Sequence, residues 1–195
     1  FITGGGRGIG LCSADALAEA GANIVISDID EKLLEVGMSF LRSKNYHVQG
    51  FLVNVANSSA TEEIADQVED KLVPVDILVA NAGIAGPGTS AAKMTDEAWQ
   101  RVLDINLNGV FWSCRTFGKR MVERQQGAIV TVGSMSGFIS NKPQKQVNYN
   151  SSKAVVHHLT RSLAGEWADR GVRVNSVAPT YVNTPMSNIT AKDSQ

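Results

Sequence analysis

Short apolar, β-branched runs alternate with longer segments of helical spacing along this chain. The runs at 1–3, 23–27, 47–53, 75–81, 127–134 and 172–178 read as strands. Between them, Ala60, Ile64, Val68 and Leu72 recur every four residues, as do Val155, Leu159, Leu163 and Trp167, and Leu33, Gly37, Phe40 and Leu41 form a third stripe. Strand follows helix throughout. Parallel strands need crossovers, and crossovers are right-handed, so the alternation predicts an α/β fold with a doubly wound parallel sheet covered on both faces. At 195 residues the chain has room for one sizeable core rather than two, and no repeat or low-complexity linker divides it. The stretch NKPQKQ at 141–146 reads as an exposed loop, and NITAKDSQ at 188–195 as a loose polar end.

Composition narrows the partners. A net charge of −1 gives no general attraction to nucleic acid or to an anionic membrane. Cys12 and Cys114 are too few for a disulfide scaffold, and with His47, His157 and His158 they show no metal-ligand spacing. Both thiols read as buried, and the histidines as packing or interface residues. The glycine-rich start differs from a basic-then-apolar leader, and no apolar run approaches the ~18 residues of a membrane span. The expectation is a cytoplasmic protein without metal, membrane or nucleic acid.

Candidate chemistry begins at TGGGRGIG, where Gly4, Gly8 and Gly10 are spaced G-x-x-x-G-x-G between a strand and a helix starting near 7–10. Glycines there permit positive φ and let main-chain N–H groups approach a diphosphate at a helix N-terminus. No Lys-Ser/Thr follows, so this is not a nucleoside-triphosphate loop. Asp28 ends the second strand eighteen residues after Gly10, close to the ~20 expected of an acid that binds an adenosine ribose. Its carboxylate would repel a 2′-phosphate and Ile29 follows it, which favours NAD over NADP. Arg7 is the opposing hint, outweighed because Asp28 sits beside the discriminating group.

Tyr149 and Lys153 form a Tyr-x-x-x-Lys pair, which a helix places on one face. An ammonium near the phenol would lower its pKa from about 10 and make it an acid/base near neutrality.

At this point the chain resembles the short-chain dehydrogenases/reductases, from Thr3 to Met186. Gly4, Gly8 and Gly10, with Arg7 and Ile9, are similar to that family's cofactor loop; Asn81, Ala82 and Gly83 to its N-A-G strand end; and Asn106, Ser134, Tyr149 and Lys153 to its catalytic set. The resemblance implies a Rossmann fold with strand order 3-2-1-4-5-6 over a single domain, 1–195. Tyr149 would exchange a proton with the alcohol or carbonyl oxygen while hydride passes to or from nicotinamide. Ser134 would hydrogen-bond that oxygen, Lys153 would lower the tyrosine pKa and bind the nicotinamide ribose, and Asn106 would hold a water linking Lys153 to solvent. Thr184, with Val182 and Pro179 beside it, would anchor the carboxamide, and Asn54 and Val55 would contact adenine.

Three positions depart from the family pattern. Asn54 stands for the usual Asp, Ala80 for the first Asn of N-N-A-G, and Thr180 for the Gly of Pro-Gly. A positive φ at Thr180 would strain the nicotinamide side of the pocket. The stretches 109–122 and 133–179 are most similar to the polyol and sugar-alcohol dehydrogenases, and the polar side chains Asn141, Gln144, Gln146 and Asn148 suit an open-chain polyol; Ser134, Ser136, Gln144 and Tyr149 are the candidate substrate contacts. The segment 104–124 carries Val110, Phe111, Trp112, Cys114, Phe117 and Met121 around much of its circumference, and the resemblance implies that it pairs with the helix at 149–169 in a homodimer or homotetramer. The alternatives are an NADP-dependent ketoacyl- or steroid-type reductase of the same family, and a non-catalytic nucleotide-binding relative. A first strand of three residues, and an end before the family's substrate-covering helix and seventh strand, lead to the expectation of truncation at both ends, with an exposed sixth strand.

Overall fold

The computed structural model describes residues 1–71 and 73–187; Leu72 and the polar end at 188–195 lie outside the described residues. Six parallel strands, β1 (Ile2–Thr3), β2 (Ile24–Asp28), β3 (Val48–Leu52), β4 (Ile77–Ala80), β5 (Gly127–Val132) and β6 (Val172–Val177), form one sheet in the order β3-β2-β1-β4-β5-β6. The crossovers contain α1 (Gly8–Glu19), α2 (Glu31–Ser43), α3 (Ser58–Lys71), α4 (Asp96–Leu103), α5 (Gly109–Arg124) and α6 (Val147–Trp167). Ile2 pairs with Ile26 on one side and Val79 on the other. The chain therefore leaves β1 and β4 in opposite directions, and a crevice opens beyond their C-terminal ends, where open α/β sheets place ligands.

Alternate strand residues feed opposite faces. Leu78 and Ile129 join Phe117, Met121, Val156 and Leu163 beneath α3, α5 and α6. Val79 and Val132 join Ile2, Ile26, Leu34, Met38 and Leu41 beneath α1 and α2. Coverage on both faces explains why the strands are continuous apolar runs rather than alternating ones.

The helix stripes need correction. A strict four-residue repeat drifts by about 40° per step, because 3.6 residues make a turn. Val155 is accordingly 46% exposed, and α6 instead buries Ser152, Lys153, Val156, His157, Thr160 and Leu163. In α2, Phe40 is exposed while Leu34, Gly37, Met38 and Leu41 are buried; in α3 the buried line is Thr61, Ala65 and Val68. Within α5, Val110, Cys114, Phe117 and Met121 are buried in the chain's own core. Of the six apolar residues named above, Phe111 and Trp112 stand partly clear, with ring centroids 5.1 Å apart and the Arg115 guanidinium 4.5 Å over Trp112. Cys12 is exposed rather than buried, whereas burial pushes the Cys114 thiol up to about 12. Among the described residues no helix is long and apolar enough to cross a membrane, and no acidic, His or Cys cluster could hold a metal ion.

Candidate active site

The crevice is one cleft running from Asp28 to Tyr149. At its nucleotide end the three motif glycines do different jobs. Gly4 (φ +62°) and Gly8 (φ +57°) occupy the left-handed region, so the loop turns there without strain. Gly10 has no such φ and sits inside α1, where an added Cβ would collide with the Gly4 carbonyl and come within 2.5 Å of Asn81 Nδ2. It is a packing glycine behind the cleft. The backbone of Arg7, extended at the head of α1, provides no side-chain cap, which leaves the first N–H groups of the helix for an anion.

Asn81 ties this loop to β4. Its Nδ2 donates to the carbonyls of Thr3 (2.9 Å) and Gly4 (3.0 Å), and the Thr3 hydroxyl oxygen accepts from the N–H groups of Asn81 and Ala82, both at 3.0 Å. The resemblance places Thr3 at the head of the cofactor loop, but the task of its hydroxyl gives no signal until β1 and β4 are known to be neighbours. Asp28 is oriented by two main-chain donors, Gly6 N–H (3.1 Å) and Asp30 N–H (3.2 Å), with its carboxylate in the cleft. Exposed Arg7 also faces the cleft, as do Ile9, Val55, Ala82 and Gly83. Asn54 lines it too, its Oδ1 accepting from Ala56 N–H at 3.1 Å.

At the other end, α6 presents Tyr149 and Lys153 one turn apart, opposite Ser134 beyond the end of β5. Asn148 fixes the start of this helix: its Oδ1 accepts from Tyr149 N–H (2.9 Å) and its Nδ2 donates to Ala98 O (3.2 Å). Fully buried and committed to the fold, it is withdrawn from the substrate-facing set expected from sequence. The expected lowering of the Tyr149 pKa is also corrected. Burial lifts the phenol above its usual 10, and hydrogen bonding with Ser134 works in the opposite direction. Lys153 Nζ donates to Val132 O at 2.7 Å and lies 5.7 Å from the Tyr149 ring centroid, while burial pushes its own pKa down to about 8.

Asn106 lies in a π-helical segment, Asp104–Asn108, between α4 and α5. Its Oδ1 accepts from Ile84 N–H (2.8 Å), and its Nδ2 donates to Ile84 O (2.9 Å) and to Ser152 Oγ (3.4 Å). A Cβ at Gly83 would stand 3.3 Å from Asn106 Oδ1 and 3.7 Å from Lys153 Nζ, so the bare glycine leaves open space between these two polar atoms.

Ser136, Asn141, Gln144 and Gln146 complete the cleft wall, so the loop expected to be exposed turns partly inward. Gln146 Nε2 donates to Ser136 Oγ (3.5 Å) and Asn150 Oδ1 (3.1 Å), and Asn141 Nδ2 to Tyr181 OH (3.4 Å). Asn141 Oδ1 and Gln144 Oε1 are buried and have no hydrogen-bond partner among the described residues. Pro179, Val182 and Thr184 close the far side. The strain expected at Thr180 does not arise, since Asn45 and Gln125 are the non-glycine residues with positive φ among those described. His157, expected as a packing or interface residue, reaches Ser134: its Nε2 is 2.9 Å from Ser134 O.

Comparison with known proteins agrees with this geometry. A family model described as short chain dehydrogenase matches residues 1–195. The chain is 52% identical over 185 residues to the galactitol 2-dehydrogenase of Rhizobium johnstonii, covering 95% of this chain and 72% of that protein. It is 42% identical over 191 residues to the L-tagatose-forming galactitol 2-dehydrogenase of Cereibacter sphaeroides, with the same 95% and 72% coverage. Among solved structures, that of gox2181 is similar at a TM-score of 0.95 and 45% identity, over 98% of this chain and 75% of that one.

Proposed function

This chain belongs to the short-chain dehydrogenase family, and from that premise we propose that it is an NAD-dependent dehydrogenase interconverting a secondary hydroxyl of an open-chain polyol and the corresponding ketone. As a member of that family the chain is an oxidoreductase of secondary alcohols that uses a nicotinamide dinucleotide. The residues fit such a cofactor: two glycines at positive φ, an uncapped helix N-terminus and a fixed carboxylate line one cleft. When bound, the nicotinamide supplies the hydride acceptor or donor. Asp28 selects the ribose with free hydroxyls, and Thr184 with the backbone near Val182 holds the opposite end. Exposed Arg7 at the cleft is the observation favouring NADP, and it is outweighed by the carboxylate that two main-chain donors hold in place.

Tyr149 takes the proton of the reacting hydroxyl, or returns it to the carbonyl oxygen. Ser134 donates to the same oxygen, placing a fixed dipole where negative charge grows. Lys153 supplies positive charge behind the phenol, and its displaced pKa lets it gain or lose a proton near neutral pH. Asn106 and Lys153 flank the space at Gly83, through which a water would relay that proton. The observation that carries the polyol reading is the pair of unpartnered acceptors, Asn141 Oδ1 and Gln144 Oε1, in the wall of the cleft beside Ser136. Buried acceptors are costly unless matched, and hydroxyls next to the reacting carbon would match them. An apolar ketone would leave them bare. Partly clear Phe111 and Trp112 on α5, and exposed Val155 on α6, support a homo-oligomer through these helices.

Purified protein is tested for nicotinamide reduction with NAD and NADP across galactitol, xylitol, apolar secondary alcohols and a hydroxysteroid. Turnover with polyols and NAD is expected. Preference for the apolar substrates with NADP would overturn the reading, and dinucleotide binding without turnover of any alcohol would support a binding protein instead.

A further inference from the structure

We propose that His157 is a positioning residue that holds Ser134 in register with Tyr149 and Lys153. The proposal rests on reading this cleft as a dehydrogenase centre. Tyr149, Lys153 and His157 follow one another at four-residue spacing on α6, so one helix face carries the phenol, the amine and the imidazole. His157 is 7% exposed. Its Nε2 lies 2.9 Å from Ser134 O and its Nδ1 3.1 Å from Ser176 Oγ in β6. A carbonyl only accepts, so Nε2 carries a proton and donates to Ser134 O, while Nδ1 pairs with the Ser176 hydroxyl. The other tautomer would depend on Ser134 N–H at 3.4 Å, a longer contact, and would leave the shorter one unused.

The imidazole thus bridges the ends of β5 and β6 to the helix bearing Tyr149. Ser134 O also accepts from Gly137 N–H at 3.0 Å, and Ser134 Oγ accepts from Ser136 N–H at 3.1 Å. With its carbonyl held from two directions, the direction of the Ser134 side chain is set. The glycines on either side make room for this. A Cβ at Gly133 would come within 2.6 Å of His157 Nε2, and one at Gly137 within 2.7 Å of its Cδ2 and 2.8 Å of the Lys153 carbonyl carbon. Phe138 closes the outer face of the ring, stacked at 4.3 Å and 22°. An aliphatic residue would fill this space, but only an imidazole or an amide also holds the serine carbonyl.

His157→Leu and His157→Gln are compared with the wild type for kcat on a polyol, dinucleotide affinity, and the ultraviolet titration of Tyr149, isolated from Tyr46 and Tyr181 by difference from Tyr149→Phe. Misplacing a reacting group by about 1 Å costs up to about 100-fold. His157→Leu should therefore lower kcat by about 10- to 100-fold, with dinucleotide affinity within about twofold, and His157→Gln, which keeps a donor for Ser134 O, should recover most of the loss. Because Ser134 draws the phenol pKa down, His157→Leu should also move the Tyr149 titration upward, a readout that needs no substrate. In a Ser134→Ala background, the leucine change should have no further effect on kcat. A full additional loss in that background, or an unmoved Tyr149 titration, would overturn the proposal. Should the leucine variant not fold, His157→Met, which fills the space without a donor for Ser134 O, carries the same tests, and a Tyr149 titration unmoved in it overturns the proposal. A wild-type protein inactive on every alcohol would sink the dehydrogenase reading, while the titration would still decide the role of His157.

Discussion

Replacing Thr3 by valine isolates the join between the glycine loop and β4. Valine has nearly the same shape, so packing at this site, only 3% exposed, is preserved and the hydroxyl alone is lost. That hydroxyl accepts two main-chain N–H groups, from Asn81 and Ala82, both at 3.0 Å. A buried donor left unmatched costs about 1–3 kcal/mol. Both residues are half-buried at the cleft wall, where water can reach in part, so the lower end applies and the sum is about 2 kcal/mol. For a chain of this size about 2–4 °C follows each kcal/mol, giving a fall in Tm of about 4–8 °C. Affinity for the dinucleotide should fall as well, because Ala82 and Gly4 form adjoining walls of its cleft. Thr3→Ser keeps the acceptor and gives up one methyl group, about 0.8 kcal/mol, so it should be the milder change. Thermal unfolding and a fluorescence titration of both variants decide the matter. If valine matches the wild type and serine is the weaker, the two hydrogen bonds do not hold the loop and the reasoning is wrong.

Other consequences are equally open to measurement. Tyr149→Phe should remove turnover and leave NAD affinity nearly unchanged; an unaltered rate would exclude Tyr149 as the proton carrier. Asp28→Ala should narrow the preference for NAD over NADP by on the order of tenfold, since two charges about 4 Å apart repel by about 1 kcal/mol in bulk water and about 4 kcal/mol at an effective dielectric of about 20; equal discrimination before and after would place Asp28 outside the ribose site. Lys153→Met tests the buried amine through stability. Burial lowers its pKa from 10.5 to about 8, so the folded chain bears the full cost of the ammonium below pH 8, while the unfolded chain remains protonated up to about 10.5. Wild-type stability should therefore gain about 3 kcal/mol relative to Lys153→Met as pH rises across that window. Urea unfolding at neutral and alkaline pH checks this, and a flat difference would show that the amine is not desolvated.

The sheet was legible because both of its faces are buried, which writes each strand as an apolar run; its order came with the family resemblance and is the order found. The cleft residues were legible because glycine, carboxylate and Tyr-x-x-x-Lys each carry a local chemical signature. What sequence reasoning missed depends on neighbours distant in the chain. The direction of the Tyr149 shift is set by how deeply α6 is covered, and the role of Asn148 by Ala98, fifty residues away. Thr180 posed no strain because its backbone does not adopt the conformation that the family's glycine would have allowed. His157 sat beside His158 in the string with nothing to distinguish them, yet one is buried against Ser134 and the other exposed.

The failed apolar stripe on α6 and the chemistry that helix carries have one cause. Its inward face is fastened by directional bonds: Asn148 to Ala98 O, Ser152 to Asn106, Lys153 to Val132 O, His157 to Ser134 O and Ser176, and Thr160 to Thr131 at 2.8 Å. Apolar packing alone is non-directional and tolerates repacking, whereas a satisfied polar contact holds only at its own register. The ties reach α4, the π-helical segment, β5 and Ser134 beyond its end, and β6, so a slide or rotation of α6 would break several at once. Tyr149 rides on this helix and Ser134 on the end of β5, and their separation is only as fixed as the helix is. A side chain that breaks the hydrophobic pattern here is therefore the means by which the phenol is kept opposite the serine, and the helix that carries Tyr149 is the one whose described burial is most polar.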